Sequence, residues 1–216
     1  MTLYAKWAKI TYNITYSGVP ANSQNYEQYR SYNVESNYVF YTEYREGYTF
    51  GGFDKGSGNI ITAITPGTIG DLTLTAVWTP IQHNLSYYYN GGTAPTVANP
   101  ATFNIESVIT LNPPTRLGYS FTGWMIDGTS TVIQNIAAGY NTDMALTAQW
   151  TIINYTITYV LLANEEIVGI QRTTYKITDL PYDLSSAVKT NYAFAGWYKD
   201  EARTVPMPQS GGVCYI

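Results

Sequence analysis

One short stretch occurs three times in this chain. It reads Gly47-Tyr48-Thr49-Phe50-Gly51-Gly52-Phe53, then Gly118-Tyr119-Ser120-Phe121-Thr122-Gly123-Trp124, then Asn191-Tyr192-Ala193-Phe194-Ala195-Gly196-Trp197. The spacing is 71 residues from Gly47 to Gly118 and 73 from Gly118 to Asn191. Self-similarity at a near-constant period restricts the 216-residue chain to successive small units in place of one large centre. Within each copy, Tyr and Phe two apart on a strand point to one face, which places Tyr48 with Phe50, Tyr119 with Phe121 and Tyr192 with Phe194. The leading Gly47, Gly118 and Asn191 are residue types that accept a left-handed backbone at a turn. The inner Gly52, Gly123 and Gly196 predict a bulge that re-aims the following Phe53, Trp124 or Trp197. Three copies at domain spacing favour a core-forming strand over rings that grip a ligand.

The rest of the period is strand-like as well. Thr73-Leu74-Thr75-Ala76-Val77-Trp78 and Ala145-Leu146-Thr147-Ala148-Gln149-Trp150 alternate with period two and read as closing strands, with Trp78 and Trp150 in the core. Thr2-Leu3-Tyr4-Ala5-Lys6-Trp7 carries the same pattern and is expected to be the closing strand of an upstream unit. Three positions after each Trp a new alternating strand begins, at Ile10, Ile81 and Ile153. Linkers are therefore nearly absent, and neighbouring units are expected to keep a limited range of orientations. A variable loop follows, and the loop at 17–31 differs from its counterpart at 88–102. Next come Tyr32-Asn33-Val34-Glu35-Ser36, Phe103-Asn104-Ile105-Glu106-Ser107 and Tyr175-Lys176-Ile177-Thr178-Asp179, read as second strands with their apolar residues inward. Residues 54–71 and 125–143 are loop-like, with room for one short helical turn. The predicted organisation is a stub at 1–7, modules at 8–79 and 80–151, and an incomplete module at 152–216 that lacks a closing strand. Val213 to Ile216 is either a truncation or a degenerate end.

The chemistry of a site is hard to find. Charged residues make up 12% and the formal net charge is −4 without a block of like charges, which argues against a nucleic-acid partner. No uninterrupted apolar run is long enough to insert in a membrane. The single histidine, His83, shares a face with Ile81 and Leu85 and reads as an edge or half-buried residue. The single cysteine, Cys214, has no histidine near it in sequence. Glu165-Glu166 reads as a solvated turn. No phosphate loop, metal-ligand spacing or calcium loop is present in the sequence, so no cofactor, metal or catalytic residue is expected. Tyrosine is abundant, at 22 residues. Those that face outward either pair across strands or offer amphipathic area to a protein or glycan, and the first is favoured.

The order of these motifs, above all Pro114-Thr115-Arg116-Leu117-Gly118-Tyr119-Ser120-Phe121-Thr122-Gly123-Trp124 followed by Leu146-Thr147-Ala148-Gln149-Trp150, resembles the Listeria–Bacteroides repeat, also called the internalin B-repeat. The resemblance covers almost the whole chain. The first unit departs from it with Phe53 for Trp and Glu43-Tyr44-Arg45-Glu46 for the proline turn, and the third with Asn191 for Gly. The resemblance implies mainly β, β-grasp-like small modules with at most one short helical turn each, in a tandem array on the bacterial cell surface. It implies no enzyme activity. The expected role is a spacer presenting another domain, with neighbouring repeats as partners. The alternative is an adhesin that contacts a host protein or glycan through variable loops and exposed tyrosines.

Overall fold

A computed structural model describes residues 1–169, 171–210 and 213–214. Its elements are β1 Tyr12–Ser17, helix α1 Gln24–Gln28, β2 Ser31–Tyr32, β3 Tyr38–Val39, β4 Tyr48–Asp54, β5 Ile60–Ile61, β6 Ala63–Ile64 and β7 Leu72–Pro80. Then follow β8 His83–Tyr88, β9 Thr102–Phe103, β10 Ile109–Thr110, β11 Tyr119–Ile126, β12 Val132–Ile133, β13 Asn135–Ile136 and β14 Met144–Ile152. The last are β15 Tyr155–Thr156, β16 Glu166–Ile167, β17 Thr174–Tyr175, a 3-10 turn at Ile177–Asp179, β18 Ala187–Val188, β19 Gln209–Ser210 and β20 Val213–Cys214. The fold is thus small sheets joined by turns. Two compact units comprise residues 1–86, 100–111 and 135–144, and residues 87–99, 112–134 and 145 onward.

In the first unit one sheet runs β2-β1-β7-β4-β5, with β1 parallel to β7 and the other pairings antiparallel. A two-stranded ladder, β3 with β6, lies apart from that sheet. Alternation along β1 and β7 sends Ile14, Leu74 and Ala76 to one side, where they join Tyr32, Phe40, Phe53 and Ile64 in one apolar cluster. The next copy repeats these pairings. In the first unit β8 pairs with β9 and β10 with β13. In the second unit β11 pairs with β12 and with β14.

The predicted bulge is present. In the β4–β7 ladder Phe50 faces Trp78 and Gly52 faces Val77, so Gly51 is the extra residue; Thr122 plays that part between Phe121 and Gly123. The bulge brings residues three apart onto one side, and the rings of Phe50 and Phe53 sit 5.1 Å apart, those of Phe121 and Trp124 5.5 Å. Gly52 has φ +111°, and a Cβ there would lie 2.9 Å from the Ile61 carbonyl oxygen.

Three expectations need correcting. The second strands end early: after β2 and β9 the chain turns, closed by the Ser36 and Ser107 amides donating to the carbonyls of Asn33 and Asn104, both at 2.9 Å. The Asn33 side chain accepts from the Glu35 amide and Asn104 from the Glu106 amide, both at 3.0 Å, so the local side-chain bonds outcompete a ladder. Residues 54–71 are not a loop with a helical turn but carry β5 and β6. The helix lies instead in the loop at 17–31, where Asn25 is fully buried. Its Nδ2 donates to the Tyr41 carbonyl and to Glu43, each at 2.8 Å, and its Oδ1 accepts from the Tyr41 amide at 2.8 Å. Residues 2–7, read as the closing strand of an upstream unit, form no ladder within this sequence, and Leu3 and Trp7 are 80% and 90% exposed. The later copies of this sequence are held by strands that precede them by some twenty to sixty residues, which the first copy lacks in this sequence.

Candidate functional site: the joints between successive copies

The motif's leading glycine and tyrosine do not end up in a core. Gly47 has φ +74°, and its carbonyl accepts the amide of Ile81, at the start of the next copy, at 2.9 Å. Gly118, at φ +77°, accepts the amide of Ile153 at 2.9 Å in the same way. The face of each glycine is covered by a branched side chain of the following copy. A Cβ on Gly47 would lie 2.5 Å from Ile105 Cδ1, and one on Gly118 2.5 Å from Ile177 Cγ2. Both isoleucines come from the turn that replaces the expected second strand, which is why they point outward rather than to the core. The Ile105 carbonyl is held by the Gly139 amide at 2.8 Å, and that of its counterpart Val34 by Gly67 at 2.7 Å.

The first joint carries two further polar contacts. The Tyr48 hydroxyl donates to the Glu106 carboxylate at 2.7 Å, and Asn141 Nδ2 donates to Glu46 at 2.9 Å. The bond to Glu106, with burial adding to it, holds the Tyr48 hydroxyl above its ordinary range against the opposing charge of Arg45. Arg45 covers the Tyr48 ring at 3.9 Å, Arg116 covers Tyr119 at 3.9 Å, and Lys189 covers Tyr192 at 4.9 Å. In the second joint Thr178 stands where Glu106 does, so the carboxylate is not repeated. These contacts join the aromatic motif of one copy to the turn of the next.

The residues singled out from sequence divide into three groups. Phe53 and Trp124 are fully buried, and Phe50, Trp78, Phe121, Trp150 and Trp197 are half-buried. Tyr48 and Tyr119 are half-buried at the joints, each under its arginine. In the third copy Tyr192 is 72% exposed and Phe194 37% exposed, so the core placement expected for them is corrected. The cause is that no strand equivalent to β7 or β14 covers them among the described residues. Sequence reading missed Ile105 and Ile177; the signal for them is the invariant Trp-to-Ile step, which forces contact between one copy's motif and the next copy's turn.

His83 is half-buried, with Nδ1 3.6 Å from Asp143 Oδ1 and its ring 5.9 Å from that of Phe103. Asp143 accepts the Asn84 amide at 2.8 Å, and with the Asn84 side chain this holds its carboxyl below the ordinary range. Glu165 accepts the Leu162 amide at 2.8 Å and is likewise held low. Among the described residues no cluster of three or more His, Cys, Asp or Glu could hold a metal, and no helix is long and apolar enough to cross a membrane. The side chain of Cys214 lies outside the described residues.

Comparison with known proteins completes the picture. Two proteins of Evansella cellulosilytica, provisionally named a membrane protein and a Gly-rich membrane protein, are 26% identical over 211 residues and 27% over 215. Each alignment covers 94% of this chain but only 30% and 23% of the relative, so the chain spans less than a third of their length. A solved structure of Streptococcal High Identity Repeats in Tandem (SHIRT) domains 3-4 from a cell surface protein is similar at 14% identity and a TM-score of 0.22, over 66% of this chain and 99% of that one. The model of one family, the Listeria-Bacteroides repeat domain, matches residues 83–149 and 155–210, more than half of the chain. With the pairings of β8 to β14 repeating those of β1 to β7, the chain belongs to the Listeria-Bacteroides repeat domain family.

Proposed function

We propose that the chain is a non-catalytic stretch of tandem modules in a protein of the bacterial cell surface, and that it acts as a semi-rigid spacer presenting another domain. The observation that supports this reading is the joint. Each one is made from residues that define the repeat itself, a left-handed glycine, the isoleucine amide three residues after the Trp, and the branched side chain of the next turn. Such nearest-neighbour contacts are how arrays of small modules stiffen. The reading also draws on the family and on relatives named for membranes.

The test spans the first joint. Spin labels at exposed Lys55 and Val108, in a Cys214→Ser background, should give one narrow distance distribution. A broad distribution typical of a flexible tether would refute the spacer. A second reading, adhesion, draws on the exposed Tyr26 and Tyr44 around α1, 45% and 79% accessible. Binding of a host protein or glycan that is lost on replacing both tyrosines by serine would support it.

A further inference from the structure

Three tyrosines of the first copy lie ring on ring. Tyr29 stacks on Tyr38 with centroids 4.6 Å apart and planes 13° from parallel, and on Tyr41 at 5.8 Å and 9°. The backbone holds both members of the closer pair. The Tyr29 amide donates to the Asn25 carbonyl at the end of α1 at 2.9 Å, and the Tyr29 carbonyl accepts the Tyr16 hydroxyl at 2.9 Å. Tyr38 lies in β3, opposite Ile64. Tyr29 and Tyr38 are half-buried, whereas Tyr41 is 38% exposed and brings the stack to the surface. The Tyr41 hydroxyl donates to Gln28 Oε1 at 3.0 Å. Its hydrogen bond with the Tyr29 hydroxyl, ahead of burial, holds that phenol above its ordinary range, so Tyr29 keeps its proton at neutral pH.

This place is filled differently in the other copies. The Ile14 amide donates to the Arg30 carbonyl, that of Leu85 to Ala101 and that of Ile157 to Thr173, at 2.9, 2.8 and 2.8 Å, which aligns Tyr29 with Pro100 and Arg172. Tyr38, Ile109 and Tyr182 each precede the leading residue of the aromatic motif by nine positions. The second copy therefore has proline and isoleucine here, and the third lays Arg172 over the Tyr182 ring at 4.4 Å. The first copy alone puts two phenols at this place. Among the described residues theirs is also the closest tyrosine pair, ahead of Tyr155 with Tyr175 at 5.1 Å and Tyr12 with Tyr32 at 5.5 Å.

We propose that Tyr29 and Tyr38 are a site of oxidative cross-linking, joined as a dityrosine by a one-electron oxidant of the peroxidase class acting with hydrogen peroxide. Each phenol gives up its hydroxyl hydrogen as a proton and an electron. The two radicals couple at ring carbons ortho to their oxygens, and one carbon–carbon bond forms. The two ortho C–H bonds then break and their protons return to the oxygens, which restores both phenols. One hydrogen peroxide accepts the two hydrogen atoms lost and is reduced to two waters. Rings already held together couple within a chain faster than between chains. Tyr41 and Gln28 give the Tyr29 hydroxyl hydrogen a path to the surface. The link closes residues 29–38 into a covalent ring around the Asn33–Ser36 turn, which presents Val34. The inference rests on the stacked phenols and not on the spacer reading.

Treatment of the dilute full chain with a haem peroxidase and hydrogen peroxide, followed by trypsin and mass spectrometry, tests it. Cleavage after Lys9, Arg30 and Arg45 separates the two tyrosines, so the link should join peptides 10–30 and 31–45 with the loss of two hydrogen atoms. Fragment spectra of that pair should place the bond at Tyr29 and Tyr38 in the wild-type chain, without recourse to any variant. Tyr29→Phe and Tyr38→Phe keep the stacked ring and remove the hydroxyl, and each should lower the yield of the pair by roughly tenfold or more. Tyr41→Phe should still give the pair, formed more slowly. A wild-type chain without the linked pair, fragment spectra that place the bond at other tyrosines, a pair that survives Tyr29→Phe or Tyr38→Phe, or one abolished by Tyr41→Phe would each overturn the inference.

Discussion

Replacing Gly47 by alanine separates the joint from the turn that presents it. Two costs arise. A non-glycine residue at φ +74° pays about 1–2 kcal/mol for the left-handed backbone. The new Cβ would also fall 2.5 Å from Ile105 Cδ1, 3.0 Å from its Cβ and 3.1 Å from its Cγ2. Making room in a packed contact costs about 1–3 kcal/mol more. Gly58 is the matched control: its φ is +76°, and a Cβ there has nothing within 4 Å. Gly58→Ala therefore carries the backbone cost alone, and Gly47→Ala should exceed it by about 1–3 kcal/mol in urea unfolding. Ile105→Ala removes the two contacts made by Cδ1 and Cγ2, so the double variant should recover about 1 kcal/mol relative to additivity. Hydrogen exchange at the Ile81 amide, which donates to Gly47, reports the joint directly and should speed up in Gly47→Ala but not in Gly58→Ala. Equal costs for the two glycines, strict additivity with Ile105→Ala, or an unchanged Ile81 amide would refute this account.

Three further outcomes are expected. Trp124 is fully buried with an indole N–H that has no partner among the described residues, and Phe53 fills the same place in the first copy; Trp124→Phe should therefore stay within about 1 kcal/mol, because losing an unsatisfied donor offsets lost volume, while Trp124→Ala should cost about 3–5 kcal/mol in the same melts. Asn25→Ala should cost about 2 kcal/mol or more, because it strips a donor from the buried Glu43 carboxylate, and calorimetry on the full chain would register it. Asp143, Glu165 and Asp200 are all held below their ordinary carboxyl range in the folded chain by hydrogen bonds. Their stabilisation is present above the unfolded-state values and is lost as pH falls through the lower folded-state values; melting temperature should therefore fall on acidification below about pH 4, and Asp143→Asn should flatten part of that slope.

Much of this fold was legible in the residues, because its period-two patterns are strong. β7 and β14 run where the alternation of Leu74, Ala76 and Trp78, or of Leu146, Ala148 and Trp150, places them. The bulge was readable from Gly52 and Gly123, and the left-handed turn from Gly47, Gly118 and Asn191. What was not legible had competing explanations at the level of spacing. Val34 and Ile105 sit two residues after a core aromatic, as a strand would place them, yet Asn33 and Asn104 bend the chain through their own side chains. Helix α1 depends on Asn25, Tyr41 and Glu43 meeting across the loop, a pairing that no local pattern announces. Tyr48 looked like a core ring because it shares parity with Phe50, and it was drawn to the joint by Arg45 and Glu106, residues of two different copies. The candidate site was therefore the less legible half, since each joint is divided between neighbours in the sequence.

The short turn from Asn33 to Ser36, repeated from Asn104 to Ser107, has a consequence for how such proteins change length. It is closed by its own polar atoms, so its protruding branched residue is ready to seat whatever copy comes before it. A gene that gains or loses one whole period keeps the glycine–isoleucine contacts in register, because the new neighbours bring the same plug and the same socket. Gaining a fraction of a period does not, since a single residue inserted between Trp78 and Ile81 would reverse the facing of the strand that follows. Reach can thus drift in steps of one copy without any new surface having to evolve.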